Sequence, residues 1–275
     1  MFDLDPIHAT QRIQDTYRRY LETAYPIQDG RLRRAFQEEL RRFQLVKGPL
    51  LEVQPPFRQG RSLKDLIASD VLHPGFRHLH SGHLPIERPL YRHQEHAIEH
   101  VVSRGRNIVI ATGTGSGKTE SFLVPILDHL VRERAAGTLD QPGVRALLLY
   151  PMNALANDQL KRLRRILQRT PEIKFGRYTG ETKQTITEAR QYFQQFFPDE
   201  PQIDNELLSR EEIRRSPPHI LLTNYAMLEY LLLRPEDCFL FDGTTGAHWR
   251  FIVLDEAHTY DGAMGIEIAM LLRRL

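Results

Sequence analysis

Ala111-Thr112-Gly113-Thr114-Gly115-Ser116-Gly117-Lys118-Thr119-Glu120 follows the apolar run Asn107-Ile108-Val109-Ile110 and precedes Ser121-Phe122-Leu123-Val124. A strand, a glycine-rich turn and a helix in that order form a phosphate-binding loop. Glycines let the backbone curl until several N–H groups converge, and the helix that begins near Gly117 adds the positive end of its dipole. In such a loop Lys118 reaches the β- and γ-phosphates and the Thr119 hydroxyl holds Mg²⁺. The strict pattern places glycine five residues before Gly117, where this chain has Thr112. The remaining core, Gly115-x-Gly117-Lys118-Thr119, is intact. A plain glycine-rich turn explains neither Lys118 nor Thr119.

Downstream, apolar strands alternate with helices. Strands are expected at 145–150, 173–178, 219–223 and 250–254, and helices from near 117 to 132, from a turn at 151–159 on to 168, and over 224–233 and 264–275. This alternation predicts an α/β fold with a parallel sheet flanked by helices. The last strand ends in Asp255-Glu256-Ala257-His258. After a phosphate loop, two carboxylates at a strand end supply the other half of an ATP site. Asp255 holds Mg²⁺ opposite Thr119, and Glu256 orients and deprotonates the attacking water. Gln94 opens a helix some two dozen residues before Lys118, and its amide matches the N6/N7 edge of adenine. Taken alone, it is a polar residue in a helix's first turns.

Residues 1–88 read as a helical accessory region ahead of an ATP-binding domain over 89–275. Helices are expected from Ile7 to Tyr25 and from Arg31 to Val46, with breaks at Gly48-Pro49 and Gln54-Pro55. Ser62 caps a short helix through Ala68. The basic run Arg31, Arg33, Arg34, Arg41 and Arg42 reads as a solvated helix face before it reads as a nucleic-acid contact. His93, His96 and His100 share a helix face, but surface histidine is the default without cysteine nearby. Residues 181–216 read as a surface insertion. Net charge is +2, too small to argue for nucleic acid by itself. Cys238 is the one cysteine, which excludes a disulfide framework. No apolar run approaches 18 residues, so neither a membrane span nor a membrane partner is expected. With no secretory signal at Met1-Phe2-Asp3, a cytoplasmic setting fits.

Together these residues resemble the first RecA-like motor domain of a superfamily-two DEAD/DEAH-box helicase. Ala111–Glu120 is similar to motif I, Asp255-Glu256-Ala257-His258 to motif II, and Gln94 to the adenine-reading glutamine. Pro151-Met152-Asn153-Ala154-Leu155-Ala156-Asn157-Asp158-Gln159 is similar to motif Ia. Thr179-Gly180 and Thr223-Asn224 resemble the later nucleic-acid motifs. Tyr150–Gln159 together with Thr223–Leu228 resembles the YprA-like branch of DNA helicases. The resemblance implies ATP and Mg²⁺ as cofactors, with Gln94, Thr112, Gly113, Thr114, Gly115, Ser116, Gly117, Lys118 and Thr119 binding nucleotide. It implies catalytic roles for Lys118, Asp255 and Glu256, Mg²⁺ ligation by Thr119 and Asp255, and a coupling role for His258. It implies nucleic-acid contacts at Pro151, Asn153, Thr179, Gly180, Thr223 and Asn224. Single-stranded DNA is the expected partner, held by its backbone. DNA repair is the implied setting.

The family's second RecA-like domain and its Ser-Ala-Thr-type motif III have no counterpart here. In this fold class the motif III strand lies between the strands bearing motifs I and II. Without it, those two strands stand roughly 9–10 Å apart, two strand spacings. The expectation is therefore a fragment or a split motor, completed in cis or in trans. A non-catalytic ATP- and DNA-binding subunit and a non-helicase P-loop ATPase stay open.

Overall fold

The computed structural model describes residues 5–43, 45–47, 56–113 and 115–275. The breaks expected at Gly48-Pro49 and Gln54-Pro55, and Thr114 of the glycine-rich loop, lie outside the described residues. Two compact units result, Met1–Pro56 and Phe57–Leu275. In the first, helix α1 (Pro6–Ala24) starts where the Asp5 carboxylate accepts from the Ile7 N–H at 2.9 Å. Helix α2 (Gly30–Arg42) starts where Asp29 accepts from the Arg31 and Leu32 N–H groups at 2.8 and 2.9 Å. Each aspartate satisfies donors that a helix leaves unpaired at its first turn.

The second unit opens with β1 (Gln59–Ser62) and α3 (Leu63–Ala68), capped reciprocally by Ser62 and Asp65. Strand β2 (Pro89–Tyr91) pairs antiparallel with β1 and leads into α4 (Arg92–Val102). Then come α5 (Lys118–Ala136), β3 (Ala146–Tyr150), α6 (Asn153–Leu167), β4 (Phe175–Arg177) and α7 (Ile186–Phe196). Next are β5 (Glu206–Leu207), α8 (Arg210–Arg215), β6 (Ile220–Asn224) and α9 (Tyr225–Leu233). The short α10 (Gly243–Gly246), β7 (Phe251–Leu254) and α11 (Gly262–Leu272) complete it. Strands β3 to β7 form one parallel sheet in the order β5-β4-β6-β3-β7. This is the α/β architecture that the alternating pattern predicts. Strands β3 and β6 are buried almost throughout, as continuous apolar runs in a two-sided sheet must be.

Three expectations change. The compact sheet-bearing unit begins at Phe57, ahead of the 88/89 boundary expected between accessory region and ATP-binding domain. Leu63, Leu66, Leu72, Phe76 and Leu79 join the same core as Leu123, Ile126 and Leu148, so residues 57–88 pack as part of the sheet-bearing unit. The run 107–110 forms no strand, and Val109 is 96% exposed. Its nearest would-be neighbour, β7, pairs with β3 alone, and a strand without a partner gains no ladder hydrogen bonds. Finally, residues 181–216 are not wholly a surface insertion. Glu206–Leu207 is the sheet's edge strand, and Asn205 Nδ2 donates to the carbonyls of Leu167, Thr170 and Ile173 at 3.1, 3.0 and 2.9 Å. Arg164 forks the Glu206 carboxylate at 2.5 and 2.8 Å and ties α6 to that edge. A buried charge stays only when so paired. At the entrance to β6, the His219 Nδ1 accepts from the Lys174 N–H and Nε2 donates to the Leu139 carbonyl, each at 3.0 Å. No described helix is long and apolar enough to cross a membrane.

Candidate nucleotide and nucleic-acid site

The turn into α5 depends on left-handed backbone at Gly115 (φ 74°) and Gly117 (φ 72°). A Cβ on Gly117 would lie 2.5 Å from Gln94 Nε2, so glycine is required there by both strain and space. The loop holds itself closed. Lys118 Nζ donates to the Thr112 carbonyl at 3.2 Å, and the Thr112 and Ser116 hydroxyls lie 2.7 Å apart. Thr119 sits in the first turn of α5. Gln94 is only 3% exposed. Its Oε1 accepts from the Tyr91 N–H and its Nε2 donates to the Gly117 carbonyl, both at 2.8 Å. His93 Nε2 donates to the Ser116 carbonyl at 3.0 Å. The expected adenine reader is thus engaged at both ends with α4's own cap and with the loop. Each end keeps one further position, a second hydrogen on Nε2 and a second lone pair on Oε1.

Asp255 and Glu256 follow β7. The Asp255 N–H donates to the Leu149 carbonyl and the Glu256 N–H to Asp255 Oδ1, each at 3.0 Å. Glu256 is left-handed, with φ 48° and ψ 43°. Such a conformation is strained for a residue with a Cβ, and it turns the two adjacent carboxylates out of strand alternation. Burial raises the Asp255 carboxyl above its usual range and the Glu256 charge adds to this, while the Glu256 N–H bond and Lys118 oppose it. His258 Nδ1 lies 3.3 Å from Glu256 Oε2. Thr112, Gly113, Lys118, Asp255, Glu256 and His258 line one open cleft of about 790 Å³, whose apolar wall is made by residues 108–110 and 251–254. The Tyr150 hydroxyl, at the end of β3, is buried with no hydrogen-bond partner, and its proton is held on by burial and by the Asp255 charge. The donor set fits a hard divalent cation, since Thr119 and Asp255 offer oxygen ligands.

The expected nucleic-acid residues gather at the C-terminal ends of β3, β4 and β6, where open α/β sheets bind ligands. Asn224 caps α9 through the Met227 N–H at 2.8 Å and donates from Nδ2 to Asn153 Oδ1 at 2.9 Å. Asn153 Nδ2 in turn donates to Glu181 Oε1 at 3.0 Å, and Arg177 holds Glu181 at 2.8 Å and also meets Asn157. One side-chain chain therefore links the N-terminal turns of α6 and α9 to the loop after β4. Pro151, Asn153, Gly180 and Asn224 reach the surface. Thr179 and Thr223 do not, as each is 0% exposed. The Thr223 hydroxyl donates to the Tyr178 carbonyl at 2.6 Å, and the Thr179 N–H is taken by Thr182 Oγ1. Their side chains shape the edge instead of offering contacts. Sequence reading overlooked Arg177 and Glu181, opposite charges that flank Thr179-Gly180 and pair across that loop. Glu120, Arg162 and Arg88 were overlooked as well.

A model of the DEAD/DEAH box helicase family matches residues 91–275. The Druantia protein DruE of Escherichia coli (strain UMEA 4076-1) is 31% identical over 360 aligned residues, which cover 98% of this chain and 19% of that protein. The ATP-dependent helicase YprA of Bacillus subtilis (strain 168) is 31% identical over 189 residues, 68% of this chain and 20% of the relative. This chain thus spans about a fifth of the length of these relatives. Among solved structures, the DUF1998 helicase MrfA bound to DNA and AMPPNP superposes with a TM-score of 0.53 at 26% identity, over 80% of this chain and 25% of that one. The DEAD-box helicase Mss116 bound to ssRNA and UDP-BeF superposes with the same TM-score at 17% identity and shares the RecA-like fold.

Proposed function

Because this chain belongs to the DEAD/DEAH box helicase family, we propose that it binds ATP and Mg²⁺ at the 111–120 loop and single-stranded DNA along the Asn153–Asn224 edge, as the first half of a helicase motor. The observation that carries this reading is the single cleft that brings Lys118, at the start of α5, together with Asp255 and Glu256, at the C-terminal end of β7. Lys118 gives up the Thr112 carbonyl for the phosphates. Thr119 and Asp255 would hold Mg²⁺, which when bound would neutralise charge on the transferred phosphoryl group. Glu256 takes a proton from the attacking water, and His258, in contact with Glu256, relays its state to the neighbouring domain. DNA is favoured as the strand because MrfA, solved with DNA, is 26% identical to this chain, whereas Mss116, solved with ssRNA, is 17% identical.

The apolar wall between residues 108–110 and β7 supports a further part of the proposal. The outer edge of β7 and the unpaired 107–110 segment face one cleft, and a strand placed there would supply ladder partners to both. We assign that place to a segment bearing motif III, and the completing arginines to a second RecA-like domain, in cis or in trans.

Fluorescence anisotropy of a labelled oligonucleotide tests the reading. Affinity for single-stranded DNA should fall steeply with salt, by a log–log slope of about −0.7 per phosphate contacted. The double variant Asn153→Ala, Asn224→Ala should weaken it. ATP turnover by this chain alone should stay far below the roughly 1–100 s⁻¹ of complete phosphoryl-transfer enzymes. Salt-independent binding would remove the nucleic-acid reading, and DNA-stimulated turnover at full rate would remove the split-motor reading.

A further inference from the structure

Glu120 follows Lys118-Thr119 directly and lies buried, 7% exposed, off the cleft. A carboxylate leaves water only where cations or donors replace its hydration. Glu120 has three such partners from three parts of the unit. Its Oε1 accepts from Arg162 of α6 at 2.7 Å and from Arg88, just before β2, at 3.2 Å. Its Oε2 lies 3.5 Å from Gln94 Nε2. The Gln94 amide carries two hydrogens. The Gly117 carbonyl takes one, and the second faces Glu120.

Helix α6 therefore reaches from the proposed nucleic-acid edge to the first turn of the helix that begins at the nucleotide loop. Its first residue, Asn153, is joined to Asn224 at the nucleic-acid edge. Nine residues on, roughly 13 Å along a rigid helix, Arg162 grips the residue that adjoins the nucleotide loop. We propose that Glu120 is a positioning residue through which Arg162 and α6 set Gln94 and the first turn of α5, so that nucleic acid at one end of α6 and ATP at the loop change each other's affinity. Adenine N7 needs a donor from Gln94, and N6 needs its oxygen. The second Gln94 hydrogen is available for that only when Glu120 shifts, and Glu120 is held by the helix that carries Asn153. The inference rests on the proposed function, since it requires both ligands.

The test measures the affinity of the whole chain for a fluorescent ATP analogue, with and without saturating single-stranded oligonucleotide. Wild type is compared with Arg162→Ala and Arg162→Lys. Arg162 is the right target because its side chain is 26% exposed and Glu120 keeps Arg88 when it is removed. Thermal unfolding of each variant is run beside the titrations, and Arg162→Gln carries the same expectation should Arg162→Ala unfold. Wild type should show at least about fivefold coupling, the low end for linked sites. Arg162→Ala should bring the ratio to within about twofold of unity with ATP affinity in the absence of DNA shifted much less, and Arg162→Lys should restore most of it. By reciprocity the same loss should appear when DNA is titrated with and without nucleotide. Coupling unchanged in Arg162→Ala, or absent in a wild type that binds both ligands, overturns the inference. A wild-type chain that binds neither ligand overturns the proposed function and the inference with it.

Discussion

Glu256 is one of two non-glycine residues, among those described, held at positive φ, and it stands where the water-activating base is expected. Strain that persists at such a position is kept for what the side chain does, because glycine would adopt the same backbone without a Cβ clash. The expected consequence can be measured by chemical denaturation. Glu256→Gly should be more stable than Glu256→Ala by roughly 0.5–1 kcal/mol, since both lose the carboxylate and only one keeps the strained Cβ. A glycine variant less stable than the alanine variant would show that the strain is not there. At this scale the sequence was readable where chemistry restricts residue choice. Lys118, Thr119, Asp255 and Glu256 have few other uses in that order. Burial of Glu120, Thr179 and Thr223 was not readable, because an ordinary polar letter looks the same whether it faces solvent or a carbonyl 2.6 Å away.

Elements with long apolar periodicity were legible: α1, α5, β3, β6 and β7 lie within a few residues of where the pattern predicts them. The two-residue strand β5 was not legible, since Glu206 and Leu207 carry no alternation and are set in place by Asn205 and Arg164 from outside. The run 107–110 has strand composition and no strand, because a ladder is a property of two segments. The entry to β6 carries a pH dependence. His219 is 5% exposed, and burial, aided by the Arg145 charge, pushes its pKa down to about 4. The unfolded imidazole titrates near 6.5, so its contribution is fully present above about pH 6.5 and is lost as pH falls toward 4. In urea titrations the stability difference between wild type and His219→Gln should therefore be largest near pH 7 and shrink toward pH 4.5. A difference that is constant across that range would mean that His219 is not held neutral.

For the whole molecule, the alternating pattern predicts a parallel α/β unit, and the structure extends that unit back to Phe57. The boundary expected at 88/89 follows the start of the recognisable motifs. Packing follows Leu63, Leu66 and Phe76, which motif reading has no reason to group with the sheet. Motif order predicts an ATP site and a strand-binding edge on one face, and helix α6 runs from Asn153, bonded to Asn224, to Arg162, bonded to Glu120. The central claim is that the 111–120 loop and the Asp255-Glu256 pair form one working nucleotide site. Isothermal titration of Mg²⁺·ATP into the purified chain, beside Lys118→Ala, tests it most directly. Wild type should bind saturably, and Lys118→Ala should bind roughly 10- to 100-fold more weakly, the worth of a charge-assisted contact to phosphate, with its unfolding temperature unchanged. Equal affinity in a folded Lys118→Ala variant, or no saturable binding by the wild type, would contradict the account.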